Sequence, residues 1–149
     1  DTQILDLGTG GGLPGIPLSI VFPHSKFKLI DRKNKKINVL NEIIRKLGIN
    51  NASAQNIDIV DLSHSYDFIV NRAITSADNL IKLCKGKINY KGENKIKNGI
   101  ICLKGGDLNS ELKNIHEFQI VELKSFFSEQ FFETKKILYI PNPYNHTDS

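Results

Sequence analysis

Two hydrophobic rhythms alternate along the chain. Short apolar runs stop at polar or glycine positions: Gln3-Ile4-Leu5-Asp6-Leu7 ends at Gly8, and Phe27-Lys28-Leu29-Ile30-Asp31 ends at Arg32. Asp67-Phe68-Ile69-Val70-Asn71 and Gly99 to Leu103 have the same form. Such runs predict buried strands. Ala52-Ser53-Ala54-Gln55 predicts a weaker one. Between the strands the spacing becomes helical. Ile37, Leu40, Ile44 and Leu47 recur at intervals of three and four, so 33–47 predicts an amphipathic helix closed by Gly48. Leu13 to Val21 predicts a second helix, with Pro14 and Pro17 near its start, where proline is tolerated. Residues 76–85 predict a third and 107–115 a short fourth. Residues 86–98, rich in Lys and Asn, predict a loop. Phe118 to Leu123 and Lys135 to Ile140 predict two antiparallel strands.

This alternation predicts an α/β fold: a doubly wound, mostly parallel seven-stranded sheet with helices on both faces and a C-terminal antiparallel hairpin. One domain is expected over 1–141, followed by a polar tail over 142–149. The sequence opens at Asp1 and reaches an apolar strand by Ile4, so a further N-terminal segment is expected before it.

Composition narrows the class. The 149 residues are 40% hydrophobic and 24% charged, the balance of a globular domain. Two cysteines exclude a disulfide scaffold or a Cys-rich zinc module, and Cys84 and Cys102 sit at apolar positions expected in the core. No apolar run approaches the ~18 residues of a spanning helix. A monomeric cytoplasmic protein with no membrane or metal partner is expected. Net charge is +4, with eight basic residues between Lys26 and Lys46 and six between Lys82 and Lys97. Clusters of this kind suit either a phosphate-tracking surface or solvated helix and loop faces.

The chemistry concentrates in Asp6-Leu7-Gly8-Thr9-Gly10-Gly11-Gly12-Leu13-Pro14-Gly15. A glycine-rich loop between a strand and a helix lets backbone approach a ligand and presents free N–H groups to it. A P-loop is excluded because no Lys follows Gly15. A dinucleotide fingerprint fits as Gly10-x-Gly12-x-x-Gly15 with Asp31, but leaves Asp6 unused. Asp6-x-Gly8-x-Gly10-x-Gly12 resembles the signature of class I S-adenosylmethionine-dependent methyltransferases, in which Asp31 suits the ribose hydroxyls.

The longer run Gly8 to Pro17, with Asn71-Arg72-Ala73 after the fourth strand and Leu103-Lys104-Gly105 after the fifth, resembles the RsmG (GidB) family of bacterial 16S ribosomal RNA guanine-N7 methyltransferases. Phe131-Phe132-Glu133-Thr134-Lys135-Lys136 resembles that family's last hairpin. The resemblance implies S-adenosyl-L-methionine as cofactor and 16S rRNA or the small ribosomal subunit particle as partner. It also implies N-terminal helices packing on this sheet and an exposed apolar patch where they are lacking. The cofactor-binding set it implies is Asp6, Gly8, Thr9, Gly10, Leu13, Asp31, Arg32, Ile57, Asp58 and Arg72. Asn56-Ile57-Asp58 stands where the family usually shows Arg-Ala-Glu, and Asn71 where it shows Ser or Thr. Arg72 and Lys104 are expected at the mouth of the site, holding guanine O6 or flanking phosphates.

Guanine N7 carries a lone pair and no proton, so its methylation needs no general base. None of His24, His64, His116 and His146 is placed as one. An adenine-N6 site is disfavoured because Asn71-Arg72-Ala73-Ile74 replaces the Asn/Asp-Pro-Pro-aromatic block. A pyrimidine-C5 site is disfavoured because neither cysteine follows Pro or Thr. Methylation of a small molecule or protein, and non-catalytic binding of cofactor and rRNA, stay open.

Overall fold

The computed structural model describes residues 1–72 and 74–144; Ala73, His146 and the tail beyond Tyr144 lie outside the described residues. Strands β1 (Gln3–Leu7), β2 (Lys26–Asp31), β3 (Ala52–Asn56), β4 (Phe68–Arg72), β5 (Gly99–Gly105), β6 (Gln119–Glu122) and β7 (Lys135–Pro141) form one sheet in the order β3-β2-β1-β4-β5-β7-β6. The first five pair in parallel, and β7 runs antiparallel to both β5 and β6. Parallel strands are buried on both faces, which is why β1, β4 and β5 read as near-continuous apolar runs.

Helices α1 (Gly15–Val21) and α2 (Asn34–Leu47) cover one face, where Ile16, Ile37 and Leu40 meet Phe27 and Leu29. Helix α3 (Ala77–Leu83) covers the other, setting Ala77 and Leu80 against Leu5, Ile69, Ile100 and Leu138. Cys84 and Cys102 are fully buried there, and burial pushes their thiols up to about 12 and about 11. They are core residues, as expected.

Three boundaries differ from the sequence expectation. Helix α1 starts at Gly15 rather than Leu13, because Gly12 adopts a φ of +93° and holds Leu13 in the loop. Leu47 is 60% exposed although it continues the apolar stripe of α2. Gly48 turns the chain in the left-handed region, and Ile49 takes the inward place instead. The fourth helix, α4 (Asn109–Leu112), is a single turn. The 86–98 segment is a loop at the amino-terminal edge of the sheet, where Asn98 Nδ2 donates to Asp67 Oδ1 at 3.1 Å. Its lysines therefore lie across the sheet from the glycine loop. At the end of α1, Ile20, Val21 and Phe22 are exposed.

Candidate active site

The loop between β1 and α1 is shaped by its glycines. Gly8 and Gly12 adopt φ of +69° and +93°, a region L-residues rarely occupy. A Cβ at Gly8 would lie 2.9 Å from Cγ2 of Ile74, and one at Gly12 would lie 2.6 Å from Cγ1 of Ile16 and 2.8 Å from Cδ2 of Leu40. Space and backbone conformation both demand glycine.

Asp6 braces this loop from beneath. Its Oδ2 accepts from Thr9 Oγ1 at 2.6 Å and from Gly15 N at 2.8 Å. The side chain is fully buried, and Oδ1 has no hydrogen-bond partner among the described residues. Burial pushes its pKa up to about 6, against the lowering effect of Thr9, Gly15 and the Arg72 charge.

Asp31, at the end of β2, faces the loop from the side. Its Oδ2 accepts from Gly10 N at 2.9 Å and its Oδ1 from Lys33 N at 2.8 Å. These two bonds fix the carboxylate while each oxygen keeps a lone pair for a ligand hydroxyl. Beside it, Arg32 Nη1 lies 3.7 Å from Asp58 Oδ2.

A cleft of about 520 Å³ opens between these groups at the carboxyl edge of the sheet. Gly8, Gly10, Asp31, Ile57, Ile74 and Arg72 line it. In doubly wound folds ligands bind at this edge. A larger depression of about 1000 Å³ lies across the sheet, lined by residues such as His24, Lys28, Ser53 and His64. It contains neither the glycine loop nor Asp31, so it is not the candidate. His24, His64 and His116 are all exposed.

Of the expected cofactor residues, Gly8, Gly10, Asp31, Arg32, Ile57, Asp58 and Arg72 all line the cleft. Asp6 and Thr9 lie under the loop and shape it rather than face the cleft. Leu13 is 43% exposed and outside the lining. Arg72 is exposed, its side chain makes no hydrogen bond or ion pair among the described residues, and its charge acts on the Asp6 carboxyl. Lys33 and Lys36, from the first of the two basic clusters, reach the cleft rim. Ile59, Ile74 and Leu83 line the cleft without having been anticipated. Ile59 and Ile74 stand two or three positions beyond a strand end, whereas Leu83 is the last residue of α3.

Lys104 corrects an expectation. It is not a free donor at the mouth. Its Nζ donates to Thr75 O at 2.6 Å and to Glu111 Oε2 at 2.8 Å, and its side chain is only 7% exposed. Glu111 Oε2 also accepts from Ala77 N at 2.7 Å. The side chain of Lys104 follows the alternation of β5 to the face occupied by α3 and is not among the residues that line the cleft.

The strand order, the reversed β7, the glycine loop after β1 and the acid ending β2 together define a Rossmann-like methyltransferase fold. A solved structure described as a SAM-dependent methyltransferase from Aquifex aeolicus superposes with a TM-score of 0.65 at 18% identity, covering 93% of this chain and 80% of that one. Residues 1–137 match the family described as rRNA small subunit methyltransferase G, GidB. Proteins named ribosomal RNA small subunit methyltransferase G from Christiangramia forsetii and Phocaeicola vulgatus are 46% and 43% identical to it, over 96% and 94% of this chain and 68% of each relative. The chain belongs to the rRNA small subunit methyltransferase G family.

Proposed function

We propose that this protein transfers a methyl group from S-adenosylmethionine to guanine N7 of 16S ribosomal RNA in the cytoplasm. The observation that carries this reading is the cleft itself: in a chain of this family, Gly8, Gly10, Asp31 and Asp58 converge on one space.

The residues present fit an adenosine-bearing cofactor. Ile57 and Ile74 offer apolar walls for a flat base. Asp31 offers fixed acceptors for vicinal hydroxyls, and the backbone at Gly8 and Gly10 permits close approach. When bound, the cofactor supplies a sulfonium methyl group. Held between Gly8, Gly10, Asp31 and Ile57, it would supply that methyl group to the N7 lone pair, with S-adenosylhomocysteine as the second product. N7 loses no proton, so no residue acts as a base. The chain's task is alignment, holding the reacting atoms roughly 3–3.5 Å apart. Arg72, free at the rim, holds guanine O6 or a neighbouring phosphate. Lys104 acts at a distance, by fixing the loop that carries Ile74.

The test is methyl transfer from labelled cofactor to small-subunit particles and to naked 16S rRNA, followed by mapping of the modified base. Label at guanine N7 is the expected result. Transfer only to small metabolites or proteins, or RNA binding without transfer, overturns it. Thermal stabilisation by S-adenosylhomocysteine but not by NAD checks the cofactor. At ~100 times its dissociation constant the stabilisation should be about 2.7 kcal/mol.

A further inference from the structure

The connection between β6 and β7 carries Phe126, Phe127, Phe131 and Phe132. Phe127 and Phe132 stack with centroids 4.4 Å apart, and Phe131 meets Phe132 edge-on at 5.1 Å. Rings clustered this way ordinarily end inside a core. Here Phe126 is 70%, Phe131 67% and Phe127 45% exposed. Neither the buried core nor the cleft uses them. Lys135 Nζ stands 4.9 Å from the Phe131 centroid. An exposed aromatic cluster of this kind marks a contact surface.

Its place in the sheet says what it contacts. The connection leaves β6 opposite Lys136 and enters β7 opposite Gly105, so it lies at the carboxyl edge, the same edge as the cleft. β7 stands three strand spacings from β1, roughly 14 Å at ~4.8 Å each. A single RNA strand covers that distance in a few nucleotides.

The chemistry of the target supplies the need. Guanine N7 lies in the major groove, which in A-form RNA is too deep and narrow for side chains to enter. A guanine reaching the cleft must therefore leave its helix or already be unpaired, and its neighbours lose stacking partners. Aromatic side chains are the usual replacement surface.

We propose that Phe131, packed on the Phe127–Phe132 stack, and the exposed Phe126 next to Phe127 in sequence form a platform on which an unpaired nucleobase flanking the target guanine stacks. This rests on the rRNA reading above. The segment carries Glu129 and Glu133 as well as Lys124 and Lys135, so ring stacking rather than phosphate attraction provides the affinity here.

The sequence contains no tryptophan. Phe126→Trp therefore places a single fluorescent reporter on the platform. Adding a 16S rRNA transcript should quench it, as base stacking does, while an RNA-free titration with S-adenosylhomocysteine should not. Phe126→Ala and Phe131→Ala should each weaken RNA binding by about fivefold or more, leave the salt dependence of binding unchanged, and leave S-adenosylhomocysteine affinity intact. Phe131→Tyr, which keeps the ring, should bind like the wild type. Wild-type protein that binds no rRNA defeats the rRNA reading itself. Wild-type binding with a silent tryptophan and undiminished affinity in both alanine variants defeats the platform alone. A change in melting temperature or self-association without a change in RNA affinity assigns the rings to packing and likewise overturns the proposal.

Discussion

Lys104 Nζ lies 2.8 Å from Glu111 Oε2, with the two side chains only 7% and 18% exposed. The same ammonium reaches Thr75 O and the same carboxylate oxygen holds Ala77 N. One ion pair thus joins the end of β5, α4, the first residue of α3 and the loop after β4. Removing one partner of such a pair strands a buried charge, a loss of typically 3–5 kcal/mol. Lys104→Met should lower the unfolding free energy by about 3 kcal/mol. Removing Glu111 as well, in Lys104→Met/Glu111→Met, should restore part of it. Urea unfolding of the single and double variants measures this, and equal stability of wild type and Lys104→Met would show that the pair is solvated.

Asp6 makes stability depend on pH. Its carboxyl titrates near 6 in the folded protein against an ordinary 3.8. The folded state therefore holds the proton more tightly, and this group's contribution to stability falls as pH rises from about 4 to about 6. A shift of two units corresponds to about 3 kcal/mol. Asp6→Asn removes that contribution. Relative to the wild type, the variant should gain stability across this window by up to ~3 kcal/mol. Denaturant unfolding of both proteins across the window provides the comparison, and parallel profiles would count against a raised pKa.

The glycine loop offers an internal control. Gly8→Ala and Gly12→Ala combine a left-handed φ with close contacts and should each cost about 1–3 kcal/mol. Gly8→Ala also pushes Ile74 toward the cleft, so calorimetric titration should show weaker S-adenosylhomocysteine binding. A Cβ at Gly11 meets nothing within 4 Å, so Gly11→Ala should be nearly neutral in both measurements.

Arg72 is exposed and unpaired among the described residues, so Arg72→Ala should change stability by no more than about 0.5 kcal/mol. Loss of a charged hydrogen-bond donor to the substrate should still lower kcat/KM for RNA by about tenfold or more. Unchanged kcat/KM at unchanged Tm would remove Arg72 from the substrate site.

Lys33 and Lys36 at the cleft rim, with Lys35 nearby in α2, should contact phosphates. Each alanine substitution among them should reduce the slope of log K against log salt by about 0.7–0.9. Binding titrations across a range of salt concentrations test this, and an unaltered slope in the triple variant would place the RNA elsewhere.

Most of the sheet is legible in the sequence because parallel strands are marked by uninterrupted apolar runs and α2 by a clear period. Seven of the ten expected cofactor residues reach the cleft because strand-end positions follow directly from strand register. Lys104 was misleading for the same reason. It ends β5 at the functional edge, but alternation sends its side chain to the α3 face, where Glu111 waits seven residues on. A partner that close in sequence yet fixed by tertiary packing leaves no periodic trace. Ile74 was invisible because its role depends on contact with Gly8, sixty-six residues away. Leu47 obeyed the helical period and still faced solvent, since Gly48 reversed the chain before the sheet could cover it.

Because β7 runs against its neighbours, the chain returns to the functional rim once more after the parallel strands are finished. The glycine loop and Asp31 belong to its first quarter, the phenylalanine-bearing turn to its last. The two share no strand and no core contact between their side chains. Substitutions in the turn between β6 and β7 can therefore leave the pocket beside β1 undisturbed, because the carboxyl edge of the sheet is built twice, from two separate stretches of chain.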